Sequence, residues 1–209
     1  MNIDKLEIYL PKFLSSESAK DLFDGLKDFP ENMDIRLYSN FLRNTNLIYQ
    51  GDGLRDMLMI NFPDPEIRLA NSIVLSNTCD IDPSNKKYFP SQIVYTPIFN
   101  LNKYRQKLLK ESGNSEQKIN DHIASIKKQE ITQILFLPRY EGYLDESIVF
   151  LDRVLNLPRN SISNEEIETR RIFTLSDYGA YLFILKLSIH FTRIQDKVER
   201  RSIRVNNID

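Results

Sequence analysis

Ser76, Thr78 and Asp80 alternate along the chain at the end of an apolar segment. Residues two apart on a β-strand share one face, so two hydroxyls and a carboxylate would project together if this segment is a strand. Such groups can donate and accept protons in catalysis. The alternative is a polar strand face that only meets solvent. We take these three residues as candidate catalytic groups.

The single cysteine of the chain, Cys79, lies inside this cluster. A zinc site needs three or four Cys, His or carboxylate ligands, and the sequence offers one cysteine and two histidines on separate predicted helices. A catalytic thiolate needs a nearby base or a helix N-terminus, whereas Cys79 is followed by the anion Asp80. Free cysteines are among the most buried residue types. We therefore predict a small buried residue at a strand end, with no metal site and no cofactor.

A second candidate site is the basic segment NKYRQKLLK, which contains Lys103, Tyr104, Arg105 and Lys107. Cations interleaved with an aromatic ring can bind phosphates and stack a base. The alternative is a solvated helix face, which is the usual role of such charge runs. The 28 Lys and Arg residues are balanced by 29 Asp and Glu, so any nucleic-acid surface must be a local patch.

The elements that would position these residues can be predicted from periodicity. Ala19, Leu22, Phe23 and Leu26 have helical spacing in a short amphipathic helix that Ser15 or Ser16 can cap. From Leu47 onward, short β-rich runs alternate with turn residues. They are LIYQGDG, DMLMINFPD, IRLANSIVLSNTCDI, SQIVYTPIF and, later, ITQILFLP and ESIVFLDRVLNLP.

We predict a single α+β domain over residues 1–209. It comprises an N-terminal helical segment (1–44), a β core (45–160) with an inserted helix near 103–130, and a long C-terminal helix (165–205), which Ser176 caps. The core is either a small SH3-like β-barrel or a bent antiparallel sheet, flanked by helices.

The order YQGDG, SIVLSNTCDID and IVYTPI resembles the core of the PemK/MazF-type growth-inhibitor toxins over Tyr49 to Phe99. It is also similar to uncharacterised bacterial proteins with a Gly-Asp followed by a Ser-x-x-Cys-Asp strand. The toxin resemblance implies an SH3-like barrel, RNA as substrate and a place for Asp52 in the binding site. The toxins have an Arg-Pro directly before the apolar strand, where this chain has Ala70-Asn71.

RNA cleavage without a metal needs a base, an acid and a cation. Arg68 is the nearest arginine to the missing motif, and Arg55 or Arg139 could also supply the cation. Two functions stay open at this stage. One is a bacterial interaction or RNA-binding protein of a toxin-antitoxin or phage-defence system, and the other is an endoribonuclease toxin.

The segment YGAYLFILKLSIHF is the most apolar part of the chain. Lys186 and His190 interrupt it, and it is shorter than the roughly 20 residues of a membrane span. The N-terminus lacks the pattern of a signal peptide. These features predict a cytoplasmic protein without a membrane span. The apolar helix could dock a protein partner or a second copy, and the alternative is burial in the core.

Overall fold

The structure is a computed structural model that describes residues 16–61 and 63–192. Its helices are α1 (Ser16–Lys27), α2 (Met33–Arg36), α3 (Thr78–Ile81), α4 (Leu101–Glu111), α5 (Glu116–Lys127), α6 (Asn164–Arg170) and α7 (Asp177–Thr192). Its strands are β1 (Tyr38–Ser39), β2 (Gly53–Asn61), β3 (Asp64–Val74), β4 (Gln92–Asn100), β5 (Ile134–Leu137), β6 (Ser147–Phe150), β7 (Leu155–Pro158) and β8 (Arg171–Leu175). The predicted α+β class is confirmed.

The strands form one open antiparallel sheet in the order β1-β8-β2-β3-β4-β6-β5, and β7 also pairs with β4. Two strands pair with the outer edge of β4. Its first half, Gln92–Tyr95, pairs with β7, whereas Ile98–Asn100 pairs with β6. The ends of the sheet are joined by a side chain, since the Tyr38 hydroxyl donates to the carbonyl of Pro138 at 2.7 Å. This arrangement is the bent antiparallel sheet, and a closed SH3-like barrel is not confirmed.

The sheet buries side chains on both faces. Ile73 and Val74 are neighbours on β3, yet they belong to different hydrophobic clusters. This follows from the alternation of side chains along a strand. One cluster lies among α1, α2, α7 and strands β5, β6 and β8, and the other lies among β2, β3, β4, α3 and α6. Both faces of the sheet therefore contribute to the core.

Helix α7 begins directly after Ser176, the residue predicted to cap it. The Ser176 hydroxyl oxygen accepts from the N–H of Gly179 at 3.0 Å, which is an N-cap hydrogen bond. Tyr178, Leu182 and Phe183 are buried in the first cluster. The first half of α7 is thus packed against the core of this chain, whereas Ile184, Ile189 and Phe191 are exposed.

Several predicted boundaries are wrong. The β core extends beyond 45–160, because β1 precedes it and β8 follows it. Part of the helix expected over 165–205 is instead α6 and β8, and residues 193–205 lie outside the described residues. The run ESIVFLDRVLNLP forms two strands, β6 and β7, which pair with different parts of β4. The inserted helical region consists of two helices, α4 and α5, and Ser15 lies outside the description.

No helix within residues 16–61 and 63–192 combines the length and the apolar composition that crossing a bilayer requires.

Candidate nucleic-acid interface

The structure does not place Ser76, Thr78 and Asp80 on one strand face, because β3 ends at Val74 and α3 begins at Thr78. Asn77 caps α3 by accepting from the N–H of Cys79 at 3.0 Å. The side chain of an asparagine can bond to nearby backbone N–H groups in this way, which favours a local turn over strand continuation. The predicted strand face is therefore wrong.

Each member of this cluster has a structural partner. The Ser76 hydroxyl accepts from the N–H of Val94 at 2.7 Å and thereby ties β4 to the end of β3. The Thr78 hydroxyl oxygen accepts from the N–H of Gln50 at 3.0 Å. Asp80 forms an ion pair with Lys87 at 2.7 Å. These contacts stabilise the local fold and do not assemble an acid and a base around a common point.

Cys79 is exposed, so the prediction of a buried residue is wrong. It lies on the one-turn helix α3, in which Ile81 is the buried residue. His122 contacts the hydroxyl of Tyr104 at 3.1 Å, and the ring of His190 packs against Phe191. Among the described residues, no group of three His, Cys, Asp or Glu side chains could hold a metal ion.

Asp52 is fully buried and cannot contact a ligand at the surface. Its Oδ2 accepts from the Nε of Arg171 at 3.1 Å and from the N–H of Tyr49 at 3.0 Å. Burial raises the pKa of Asp52, and the positive charge of Arg171 opposes that rise. The Gly-Asp-Gly motif is thus a structural turn, in which Gly51 has a φ of 88° that favours glycine.

The basic segment forms α4, whose candidates divide between two faces. Lys103, Tyr104 and Lys107 line a groove of about 420 Å³ with Arg153. Arg105 lies on another face, where it donates to Glu116 at 2.7 Å and to Asn120.

The aromatic rings of the α4 groove already have partners. Tyr104 packs edge-on against Phe150 at 5.7 Å between ring centroids. The guanidinium of Arg153 covers Phe150 at 4.2 Å. A base would have to displace these contacts before it could stack.

The three candidate arginines lie apart from this groove. Arg55 is exposed on β2. Arg68 is exposed on β3 and forms an ion pair with Glu66. Arg139 borders a cleft of about 650 Å³ that contains more carboxylates than cations. The charged lining residues of this cleft are Arg139, Lys127, Glu31, Asp34, Glu141 and Glu146. An excess of negative charge makes the cleft unsuited to a polyanion.

A different groove combines positive charge with exposed aromatic rings. It has a volume of about 490 Å³ and lies between residues 81–91 and residues 159–164. We call it the loop groove. Its charged lining residues are Lys86, Lys87, Arg159 and the single carboxylate Asp82.

The walls of the loop groove are connected by Arg159, which is 8% exposed. Its guanidinium donates to the carbonyl of Ile81 at 3.2 Å, to the carbonyl of Ile162 at 2.7 Å and to Oδ1 of Asn164 at 2.6 Å. Burial lowers the pKa of Arg159, and the charge of Asp82 opposes this shift. Arg159 therefore holds the two walls of the loop groove together, and its positive charge raises the electrostatic potential of the groove.

The side chain of Asp82 is engaged within its own turn. It accepts from the N–H and the hydroxyl of Ser84, both at 2.8 Å, and these bonds lower its pKa. Lys87 is neutralised in part by Asp80. Lys86 has no ion pair among the described residues, so its ammonium is available to a phosphate.

Two aromatic rings project beside these cations. Tyr88 is fully exposed, and Phe89, which lines the groove, is 83% exposed. A large aromatic ring that is exposed to solvent gives up the stabilisation that burial in the core would provide. Exposed rings next to cations match the arrangement that stacks the bases of single-stranded nucleic acids.

Reasoning from the sequence missed this groove. The segment KKYFP has two cations followed by two aromatic residues, which is a recognisable local signal. Arg159 gave no such signal, because it lies 78 residues from Ile81 along the chain. Arg171 was missed for the same reason.

Comparison with known proteins gives no relative from which a function could be transferred. No protein-family model matches the chain, and no curated protein matches it.

Proposed function

We propose that this protein binds single-stranded nucleic acid through the loop groove, with Tyr88 and Phe89 stacking bases and Lys86 contacting phosphate. The observation that carries the proposal is the exposure of two adjacent rings beside an ammonium that has no ion pair among the described residues. Base stacking contributes about 1–3 kcal/mol per base and tolerates any sequence. The expected binding is therefore of low sequence specificity.

RNA is the nucleic acid that we propose, in a bacterial toxin-antitoxin or phage-defence setting. The resemblance of Tyr49–Phe99 to PemK/MazF-type toxins supports this choice, since those proteins act on RNA. Two lining residues of the loop groove, Lys86 and Phe89, belong to this segment of the chain.

The test is fluorescence anisotropy with a short labelled single-stranded RNA of mixed sequence. Phe89→Ala and Tyr88→Ala are each expected to raise the Kd by about 5-fold or more, in line with the loss of one stacked base. Lys86→Ala should weaken binding and reduce the steepness of its dependence on salt between about 50 mM and about 200 mM.

The matched controls are Phe41→Ala and Lys103→Ala. Phe41 is 91% exposed, which is comparable with the 83% of Phe89, but it follows β1. Lys103 lies on α4, which begins where β4 ends, whereas the loop groove lies at the start of β4. The nine residues of β4 separate the two surfaces by about 30 Å. Equal effects of Phe89→Ala and Phe41→Ala would contradict the proposal.

The same RNA also tests the endoribonuclease alternative. We expect no cleavage, because Ser76 and Thr78 accept from backbone N–H groups and Asp80 is paired with Lys87. Cleavage that is lost in Asp80→Asn would overturn this expectation.

A second candidate function, self-association, is favoured by the hairpin of β2 and β3. Leu58 lies opposite Leu69 and Ile60 lies opposite Ile67, so four aliphatic side chains share one face. Their exposed fractions are 46%, 62%, 36% and 65%, respectively. An apolar face of this kind on two copies can pack across a two-fold axis. In sedimentation velocity, Ile67→Lys should shift any dimer to monomer, whereas Arg55→Glu should not.

A further inference from the structure

A second cavity, of about 320 Å³, lies between α1, α2, α7 and strands β5 and β8. It shares no residue with the loop groove. Its lining is almost entirely apolar and includes Phe29, Met33, Leu135 and Leu182. Protein interiors are normally packed with few voids larger than a water molecule, whereas sites for small molecules begin at about 300 Å³. The volume is thus that of a ligand site.

Among the residues that the structure describes, Lys186 is the only charged one in the lining. It is 8% exposed, and its Nζ donates to the carbonyl of Gln129 at 2.6 Å. An ammonium has three donors, and no carboxylate among the described residues pairs with this one. A buried charge of this kind is costly unless an anion compensates it.

The acceptor that orients Lys186 is itself fixed. Gln129 has a φ of 61°, and its side chain donates to the carbonyl of Phe136 at 2.7 Å and accepts from the N–H of Phe136 at 3.2 Å. These two bonds hold Gln129 against β5. The ammonium therefore has a defined position at the wall of the cavity, with donors left for a second acceptor.

We propose that this cavity binds a medium-chain aliphatic carboxylate, with the carboxylate on Nζ of Lys186 and the hydrocarbon chain against Phe29, Leu135 and Leu182. The apolar lining provides burial for the hydrocarbon chain, and the ammonium of Lys186 provides the complementary charge for the head group. This site is independent of the proposed nucleic-acid function.

The test is titration of the full-length protein with decanoate, followed by calorimetry and by the melting temperature. Decanoate is expected to bind and to raise the Tm, whereas butyrate and decyltrimethylammonium are not. Butyrate carries the head group without the chain, and decyltrimethylammonium carries the chain with the opposite charge. Absence of decanoate binding, or equal binding of decyltrimethylammonium, would overturn the proposal.

Two variants separate the roles of charge and volume. Lys186→Met keeps an unbranched side chain without charge and should weaken decanoate binding by about tenfold or more, as expected for a charge-assisted hydrogen bond. Leu135→Phe narrows the cavity without touching Lys186 and should also weaken binding. Lys103→Met, on the exposed face of α4, is the control and should bind as the wild type does. Unchanged affinity in both cavity variants would overturn the proposal.

Discussion

The carboxylate of Asp52 and the guanidinium of Arg171 form an ion pair at 3.1 Å, and both side chains are completely buried. Arg171 also donates to the carbonyls of Arg43 at 2.8 Å, of Thr45 at 2.7 Å and of Leu47. One side chain thus connects β8, the Gly-Asp-Gly turn and the segment before it. The pair explains why an aspartate lies between two glycines at the start of β2.

Arg171→Met should destabilise the protein by about 3–5 kcal/mol, because it leaves the buried Asp52 without its counterion and three carbonyls without a donor. Urea unfolding measures this loss. The control is Lys107→Met, which removes an exposed pair with Glu111 and should change stability by less than about 0.5 kcal/mol. Similar losses in the two variants would contradict the role given to Arg171.

Gly179→Ala should be strongly destabilising, by more than about 2 kcal/mol, since a Cβ at this position would overlap the backbone carbonyl of Leu37. Gly25→Ala, in α1, is the matched helical control. Its Cβ would meet the end of the Arg36 side chain at 2.9 Å, and alanine favours the helix by about 1 kcal/mol. We expect the free energy of unfolding of this control to lie within about 1 kcal/mol of the wild-type value in thermal and urea denaturation.

Lys186 should make stability depend on pH. Burial lowers the pKa of Lys186 from 10.5 to about 8 in the folded protein. Between these values the unfolded chain binds more protons, so the free energy of unfolding should rise as the pH increases above about 8. Allowing for partial hydration, we expect a gain on the order of 1 kcal/mol by pH 9.5.

Urea unfolding from pH 7 to pH 9.5 measures this gain, and the slope should be absent in Lys186→Met. The range stops below pH 10, because burial raises the pKa of Tyr178 from 10.0 to about 12, and above pH 10 this group would lower the free energy of unfolding. If the slope persists in Lys186→Met, another titrating group causes the pH dependence of the free energy of unfolding.

Cys79 should react with a thiol reagent in the native protein at a rate close to that of the unfolded chain, because its side chain is exposed. Cys79→Ser should change the free energy of unfolding by less than about 0.5 kcal/mol, as expected at a surface position. Slow labelling that tracks global unfolding would show that the thiol is covered. The melting temperature of the monomer should not respond to a reducing agent.

Local patterns were sufficient for part of this architecture. Helical spacing predicted α1, and Ser176 marked the start of α7, because a cap and its helix are neighbours in sequence. The β-rich runs predicted β4 and β5 within a few residues, and they predicted the start of β3 but not its end. Core burial, the alternative considered for the apolar C-terminal helix, holds for Leu182.

The same local reading failed at Thr78 and Cys79. A polar alternation after an apolar strand fits both a strand end and a short capped helix, and the Asn77 cap decided between them. Whether Cys79 is exposed depends on which distant segments of the chain pack over it. Average burial of a residue type cannot supply that information.

By itself, the sequence determined the α+β class, the main helices and the alternating strands, because these follow from propensity and periodicity over a few residues. Only the tertiary structure decided the sites. It paired Asp52 with Arg171 across 119 residues, joined Ile81 to Arg159 across 78, and placed Lys186 at an apolar cavity. Such groupings depend on the order of strands in the sheet and on its curvature, which bring distant segments together to bury apolar surface and satisfy buried charges.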